Sequence, residues 1–481
     1  RRTDVQFSNP FNTISGYAMK FTIYITVFAF LVITLGIGAS ISQAIDLSLL
    51  SERVFEGDTT VTPEGFGTKI AIGDVNGDGI DDLVAGAPFS DHKLNAGTVY
   101  IWFGPISEAT QVASSADVII LGADSPDQLG SAIAVGDLDL DGTNELIIGA
   151  PETLPQGSVY IFEGPILGTS TGPKIIDMNL PANYAARIIG GHLPSGSTGD
   201  NTGGGLAVGE LTGDAFPDIA IGATGPDVNG ENSGAVYVIA GNGTLDAFDV
   251  NLSLVPPAGV ILGPSFKAIF GRGLAVGDLD GDSQSDVVVG AQDAFRSGTR
   301  LGETYVIQGP ITGVIDLSSS PPDPKVLLRI DGVDTEDVAG IALAIGDLDY
   351  DGSLDLLIGA AHADMSDGDS AGEVHFLSNP LNGALSNPHR LTTATIEFIG
   401  EPGDAAGSGL AVGDVNNDGR QNLAIGAPSI VGGAGKVTAF FDNTPVPTPT
   451  PGPPFDPPGP PDDPGPPTDP GPPIDPPGRG R

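Results

Sequence analysis

Hydrophobic and polar positions along this chain alternate in short strand-like runs that return in register six times. The runs read IAIGDVNGDGIDDLVAGAP, IAVGDLDLDGTNELIIGAP, LAVGELTGDAFPDIAIGAT, LAVGDLDGDSQSDVVVGAQ, LAIGDLDYDGSLDLLIGAA and LAVGDVNNDGRQNLAIGAP. Each opens on a small-residue run such as Ile70-Ala71-Ile72, crosses a polar loop, and continues in an apolar or β-branched run such as Val287-Val288-Val289. A third run follows a glycine, as in Val99–Phe103 or Val236–Ile239, and a fourth comes later, as in Val118–Leu121 or Val260–Leu262. Four short strands per repeat of this length predict the blades of an all-β propeller.

The spacing supports one repeated unit. The first acidic residues, Asp74, Asp137, Glu210, Asp278, Asp347 and Asp414, lie 63, 73, 68, 69 and 67 residues apart. A glycine stands seven residues before each (Gly67, Gly130, Gly203, Gly271, Gly340, Gly407) and another twelve after (Gly86, Gly149, Gly222, Gly290, Gly359, Gly426). Length varies only outside this core, where loops absorb insertions. The last unit has a third run at Val437–Phe441 and no fourth, whereas Arg53–Gly57 is a spare fourth run ahead of the first unit. An N-terminal strand that completes the last blade would close the ring and leave no edge. Six four-stranded blades are expected; a seventh would lack the repeated loop, and no gap is long enough to hold it.

The loops carry the chemistry. In Asp74-Val75-Asn76-Gly77-Asp78-Gly79-Ile80-Asp81-Asp82, oxygen side chains fall at positions 1, 3, 5 and 9, with the Ile80 carbonyl available at 7. Calcium takes six to eight oxygens at flexible geometry, and alternate residues of a tight loop can converge them. An EF-hand would need a glutamate at position 12 and flanking helices. Position 12 is instead Ala85, Ile148 or Val289, inside strand-like runs. EF-hand and dockerin readings fail, and the position 9 acid becomes the expected bidentate ligand.

The remaining candidate ligands follow the same register. They are Asp137, Asp139, Asp141, Thr143 and Glu145 in the second loop, and Glu210, Thr212, Asp214, Phe216 and Asp218 in the third. The fourth has Asp278, Asp280, Asp282, Gln284 and Asp286; the fifth has Asp347, Asp349, Asp351, Ser353 and Asp355. The sixth has Asp414, Asn416, Asp418, Arg420 and Asn422. Thr143, Phe216, Gln284, Ser353 and Arg420 would offer backbone carbonyls, as Ile80 does. Up to six calcium ions are expected, held most weakly by the third loop, where Ala215 replaces glycine, and by the sixth, with two carboxylates.

Composition narrows the function. There are 19 basic and 61 acidic residues, a net charge of -42, which repels nucleic acid and anionic lipid. The absence of cysteine excludes disulfides and thiolate chemistry. Residues 1–44 read as upstream residues and a secretory signal peptide: an apolar run, Phe21–Ile41, follows Met19-Lys20 and exits at Ser42-Gln43-Ala44. The alternative is an uncleaved anchor, the one route to membrane contact. Residues 45–444 are the propeller. Residues 445–481, with recurring Asp-Pro-Gly-Pro-Pro, are an extended polyproline tail.

Phe66-Gly67 and Phe270-Gly271 ahead of the loop, and Gly86-Ala87-Pro88, Gly149-Ala150-Pro151 and Gly426-Ala427-Pro428 after it, resemble FG-GAP repeats. The resemblance is to the β-propeller of integrin α subunits and its bacterial relatives. It implies calcium in loops on one face and a role in cell adhesion or ligand recognition. Six units rather than seven set this chain apart from integrins and speak against integrin-type signalling. A secreted or cell-surface module for an extracellular protein or glycan ligand is the expected function. The variable segments 89–96, 224–233, 292–301 and 361–371 are candidate ligand surface. Two alternatives are a propeller-type polysaccharide hydrolase or lyase and a structural surface or stalk component. Enzyme activity is not expected: His92 and His362 occupy equivalent loops, but no paired histidines and no nucleophile elbow occur.

Overall fold

The computed structural model describes residues 50–58, 65–90, 95–107, 109–170, 172–191, 193, 199–296, 299–332, 337–363, 370–383, 385–391, 396–428 and 434–442. The apolar run 21–41, its exit site and the proline-rich tail lie outside them. No helix among the described residues is long and apolar enough to cross a membrane.

The fold is an all-β propeller of six blades. Blade 1 runs outward through Lys69–Gly73, Asp82–Ala87, Thr98–Trp102 and Val118–Leu121, each antiparallel to the last. Blades 2 to 5 repeat this order, starting from inner strands Ala132–Gly136, Thr202–Gly209, Phe270–Gly277 and Ala342–Gly346. Blade 6 takes Gly409–Gly413, Asn422–Ala427 and Lys436–Asp442 from the C-terminal side, and its outer strand is the N-terminal Leu50–Glu56. The expected closure is therefore present. Each inner strand packs on the next, and Gly409–Gly413 packs back on Lys69–Gly73.

The core is divided among six seams rather than gathered in one place. Each apolar cluster lies between two neighbouring blades. The second strand of a blade serves two seams at once. Leu83, Ala85 and Ala87 face blade 6, while Val84 faces blade 2. Burial on both faces explains why these strands read as continuous apolar runs rather than alternating ones. The closing seam also holds the single tryptophan: Trp102 packs edge-on against Phe55 of the N-terminal strand at 5.0 Å and against Phe66 at 5.9 Å.

The repeat glycines are explained by contact between blades. A Cβ on Gly86, Gly149, Gly222, Gly290, Gly359 or Gly426 would stand 1.8–2.2 Å from the carbonyl oxygen of Gly130, Gly203, Gly271, Gly340, Gly407 or Gly67 in the adjoining blade. The two glycines of the repeat thus meet backbone to backbone around the ring.

A feature absent from the repeat pattern stitches the rim. The connection between the third and fourth strands of one blade adds a short parallel strand outside the preceding blade. Lys174–Asp177 pairs with Val118–Leu121, Gly313–Asp316 with Gly259–Leu262, His389–Arg390 with Val326–Asp331, and Thr110–Val112 with Leu50–Glu56. In blade 3 the same connection makes a single bridge, Asn251 to Ile189.

Candidate metal loops

All six acidic loops join the first and second strands of their blades, so they share one face of the propeller. Their shape is a ladder of side-chain-to-backbone bonds. Asp74 at position 1 accepts the N–H of Gly77 (2.7 Å), Asp78 (3.2 Å) and Gly79 (2.7 Å). Asn76 accepts from Asp78, and Asp78 from Ile80. Equivalent bonds recur in the other loops, with Asp282 and Ser283 donating to Asp278, Gly352 to Asp347 and Gly419 to Asp414. In the third loop Gly213 and Asp214 donate to Glu210.

This ladder bends the backbone into the left-handed region at positions 4 and 6. Position 6 is glycine in four loops, but Ala215 sits at φ 72° and Ser283 at φ 69°. A Cβ at Gly79, Gly142, Gly352 or Gly419 would meet nothing within 4 Å. Backbone conformation, not space, is what selects glycine there.

The loops differ in how their carboxylates converge. Among the described residues, ligand oxygens of Asp137, Asp139 and Glu145 lie within 4.8 Å of one another, as do those of Asp278, Asp280 and Asp282, and those of Asp347, Asp349 and Asp351. These are the second, fourth and fifth loops, which carry four carboxylates each. Asp137 Oδ1 is buried and accepts no hydrogen bond. An all-oxygen cluster of this kind, with one orphaned buried oxygen, fits calcium, and the position 7 carbonyls would complete the shell. A bound ion would supply charge neutralisation and loop rigidity rather than chemistry.

Position 9 has a task that sequence reasoning missed. Asp82, Glu145, Asp218, Asp286 and Asp355 are completely buried, and each joins three parts of its blade. Asp82 Oδ2 accepts the N–H of Val75 at 3.0 Å in the loop, and Oδ1 accepts Gly104 N–H at 2.9 Å beyond the third strand. Asp218 does the same with Leu211 (2.7 Å) and Gly241 (2.8 Å), and Asp286 with Leu279 (3.1 Å) and Gly309 (3.3 Å). Only Glu145 also belongs to an oxygen cluster. Burial pushes Asp82 and Glu145 up to about 7, and Asp286 and Asp355 to about 6, against the amide bonds that hold them down. In the sixth loop Asn422 keeps the bond to Val415 N–H without a charge.

Other side chains reach the loops from elsewhere. Gln308, after the third strand of blade 4, donates to Asp280 and Asp282, and Ser378 in blade 5 donates to Asp349. Position 8 ties neighbouring loops: Asn144 donates to the Asp74 carbonyl, and Asp81 accepts Asp414 N–H. Ile106 and Ile166 donate their N–H to the carbonyls of Val415 and Val75 in preceding loops. The loops therefore sit on the seams. The position 8 residues differ too much between units to stand out in sequence. Of the two histidines considered, His362 is exposed and His92 lies outside the described residues.

The FG-GAP repeat profile matches residues 66–102, 129–162, 202–239, 270–307 and 406–440. The fifth unit falls outside these ranges, yet Ala342–Gly346, Asp355–Ala360 and Glu373–Leu377 form the same strands. Integrin alpha-5 of Xenopus laevis is 30% identical over 177 residues, 34% of this chain and 15% of that protein. Integrin alpha-IIb of Mus musculus is 34% identical over 170 residues, 33% of this chain and 15% of that one. Human phosphatidylinositol-glycan-specific phospholipase D is 31% identical over 182 residues, 36% of this chain and 20% of that one. The chain thus spans no more than a fifth of the length of these relatives. The chain carries FG-GAP repeats, which together with the fifth unit build a six-bladed β-propeller, and the repeats are similar in sequence to part of the integrin α subunits.

Proposed function

We propose that the chain is a secreted or cell-surface binding module in which calcium braces the loop face and the opposite face takes an extracellular protein or glycan. The observation that carries the calcium reading is the convergence of three carboxylates within 4.8 Å in each of three loops that lie on blade seams. Like charges at that distance repel strongly unless a cation stands among them. Loops one, three and six would bind more weakly.

The ligand face follows from strand direction. Loops between the first and second strands open on one face, so connections between second and third strands open on the other. The variable segments 89–96, 224–233, 292–301 and 361–371 are all such connections. Phe295, in one of them, is 48% exposed, and Phe266, on the link between blades 3 and 4 at that face, is 52% exposed. Exposed aromatics on variable loops suit ligand contact. The proposal includes no catalytic step, an apolar export segment at residues 21–41, and a spacer role for residues 445–481.

Two measurements test it. Melting in calcium and in chelator should differ by several degrees, since a ligand bound only by the folded state stabilises it. An unchanged melt would remove the metal. A glycan and cell-surface binding screen with residues 45–444 should find a ligand whose binding the Phe266→Ser, Phe295→Ser double variant weakens without lowering the melt. Turnover of a polysaccharide in the same screen would instead establish a hydrolase or lyase.

A further inference from the structure

The central channel carries charge of the opposite sign to the rest of the chain. Its wall is built from residues in the first half of the six inner strands and just ahead of them. Two places after the repeat glycine stand Lys69, Ala132, Gly205, Gly273, Ala342 and Gly409. Five are glycine or alanine, so the one long side chain has room to enter. One place after the glycine, Arg272 is the only charged residue, among Thr68, Ser131, Gly204, Ile341 and Ser408. Lys69 and Arg272 line a single cavity of about 80 Å³, whose other walls are glycine, alanine, leucine and isoleucine. The acidic loops begin at the far ends of these strands, with Asp74 following Gly73.

The two cations are short of partners. Lys69 Nζ spans the channel to donate to the carbonyls of Arg272 at 3.2 Å and Ile341 at 2.8 Å, leaving one of its three N–H bonds without an acceptor among the described residues. The Arg272 guanidinium makes no hydrogen bond or ion pair among the described residues. Asp293 acts on it at a distance, but that carboxylate is paired with Arg300 at 3.3 Å. Among the described residues no carboxylate lines the cavity. Burial, together with repulsion from Arg272, pushes Lys69 down to about 7, and burial also lowers Arg272. Lys69 is buried and Arg272 half-buried, and a cation withdrawn from water without a counter-charge is costly. A cavity of this volume has room for a few heavy atoms, since roughly 10–15 Å³ admits one water.

We propose that the channel is a binding site for a small anion, an inorganic ion or a free carboxylate such as formate, held between the Lys69 ammonium and the Arg272 guanidinium. Arg272 offers its planar fork of N–H donors, and Lys69 its remaining proton. The anion would join blades 1 and 4 across the channel, with Lys69 already bonded to the Ile341 carbonyl at the start of blade 5.

The test titrates sodium formate into calcium-saturated protein, with ionic strength held by a bulky sulfonate too large for the cavity. Calorimetry should show saturable binding that Arg272→Gln weakens by about tenfold, the loss of one charge-assisted hydrogen bond. Binding equal in Arg272→Gln and wild type, or no saturable binding in wild type, overturns the site. Crystals soaked in bromide provide a second readout that does not depend on a variant folding. Anomalous density between Lys69 Nζ and Arg272 is expected, and an empty channel at saturating bromide refutes the proposal.

Discussion

Two residue positions show how differently glycine is demanded in this repeat. At loop position 6 the demand is conformational. Ala215 and Ser283 hold φ near 70° where L-residues pay a penalty of about 1–2 kcal/mol. Ala215→Gly and Ser283→Gly are each expected to stabilise the protein by roughly 0.5–1 kcal/mol, less than that penalty because glycine loses more entropy on folding. Denaturant melts of the two variants check this. At the later glycine the demand is steric. A Cβ at Gly222 would lie 1.8 Å from the Gly271 carbonyl oxygen, and neither backbone can retreat without opening the seam. Gly222→Ala should cost more than about 3 kcal/mol, as overpacking against backbone does.

At the scale of the loop and its strands, positions 5 and 9 do different work. Asp282 is exposed and sits in the oxygen cluster, whereas Asp286 is buried and ties Leu279 to Gly309. Asp282→Ala should lower the melt in calcium and leave it nearly unchanged in chelator. Asp286→Ala should lower it in both, by about 2–4 kcal/mol, because buried amides lose their acceptor. Equal behaviour of the two variants would mean that position 9 acts only through metal. The third strand of blade 5 supplies a pH-dependent element. His375 is buried, and desolvation pushes it down to about 4 from an ordinary 6.5. The unfolded chain then binds the extra proton between those values, so the contribution of His375 to stability is full above pH 6.5 and declines as pH falls toward 4, opposite in sign to that of the buried position 9 carboxylates. His375→Gln should flatten that limb of a stability–pH profile by roughly 3 kcal/mol at its lower end.

At the scale of the whole molecule, the ring depends on its first strand. Leu50–Glu56 pairs with Lys436–Asp442 and accepts Thr110–Val112 on its outer side, and Phe55 covers Trp102. A chain starting at residue 58 would expose both the strand edge and the aromatic seam. Its tryptophan emission should shift to the red and its unfolding should begin at lower denaturant. Unchanged emission would mean that the seam does not rely on this strand. The rim strands then reinforce seams that the apolar clusters already hold, in a protein with no disulfides, and calcium, where bound, would stiffen the loops that sit on those seams.

The features legible in sequence were those with a local period. Blade count and strand order are stated six times by a repeat at constant spacing, and the closing strand by the one unit that lacks its own fourth run. The loop ranking by carboxylate number likewise follows from composition, and the three fully acidic loops are those whose oxygens converge. Other features depend on neighbours that only closure of the ring brings together. Burial turned the position 9 acids into ties between a loop and a third strand, because their partners lie beyond a connection of variable length. The later glycines answer to backbone in another blade. Lys69 meets Arg272 and Ile341 across 203 and 272 residues of chain. Tertiary structure alone decided those contacts, since a sequence pattern records the period of a blade but not which atoms face each other across a seam or a channel.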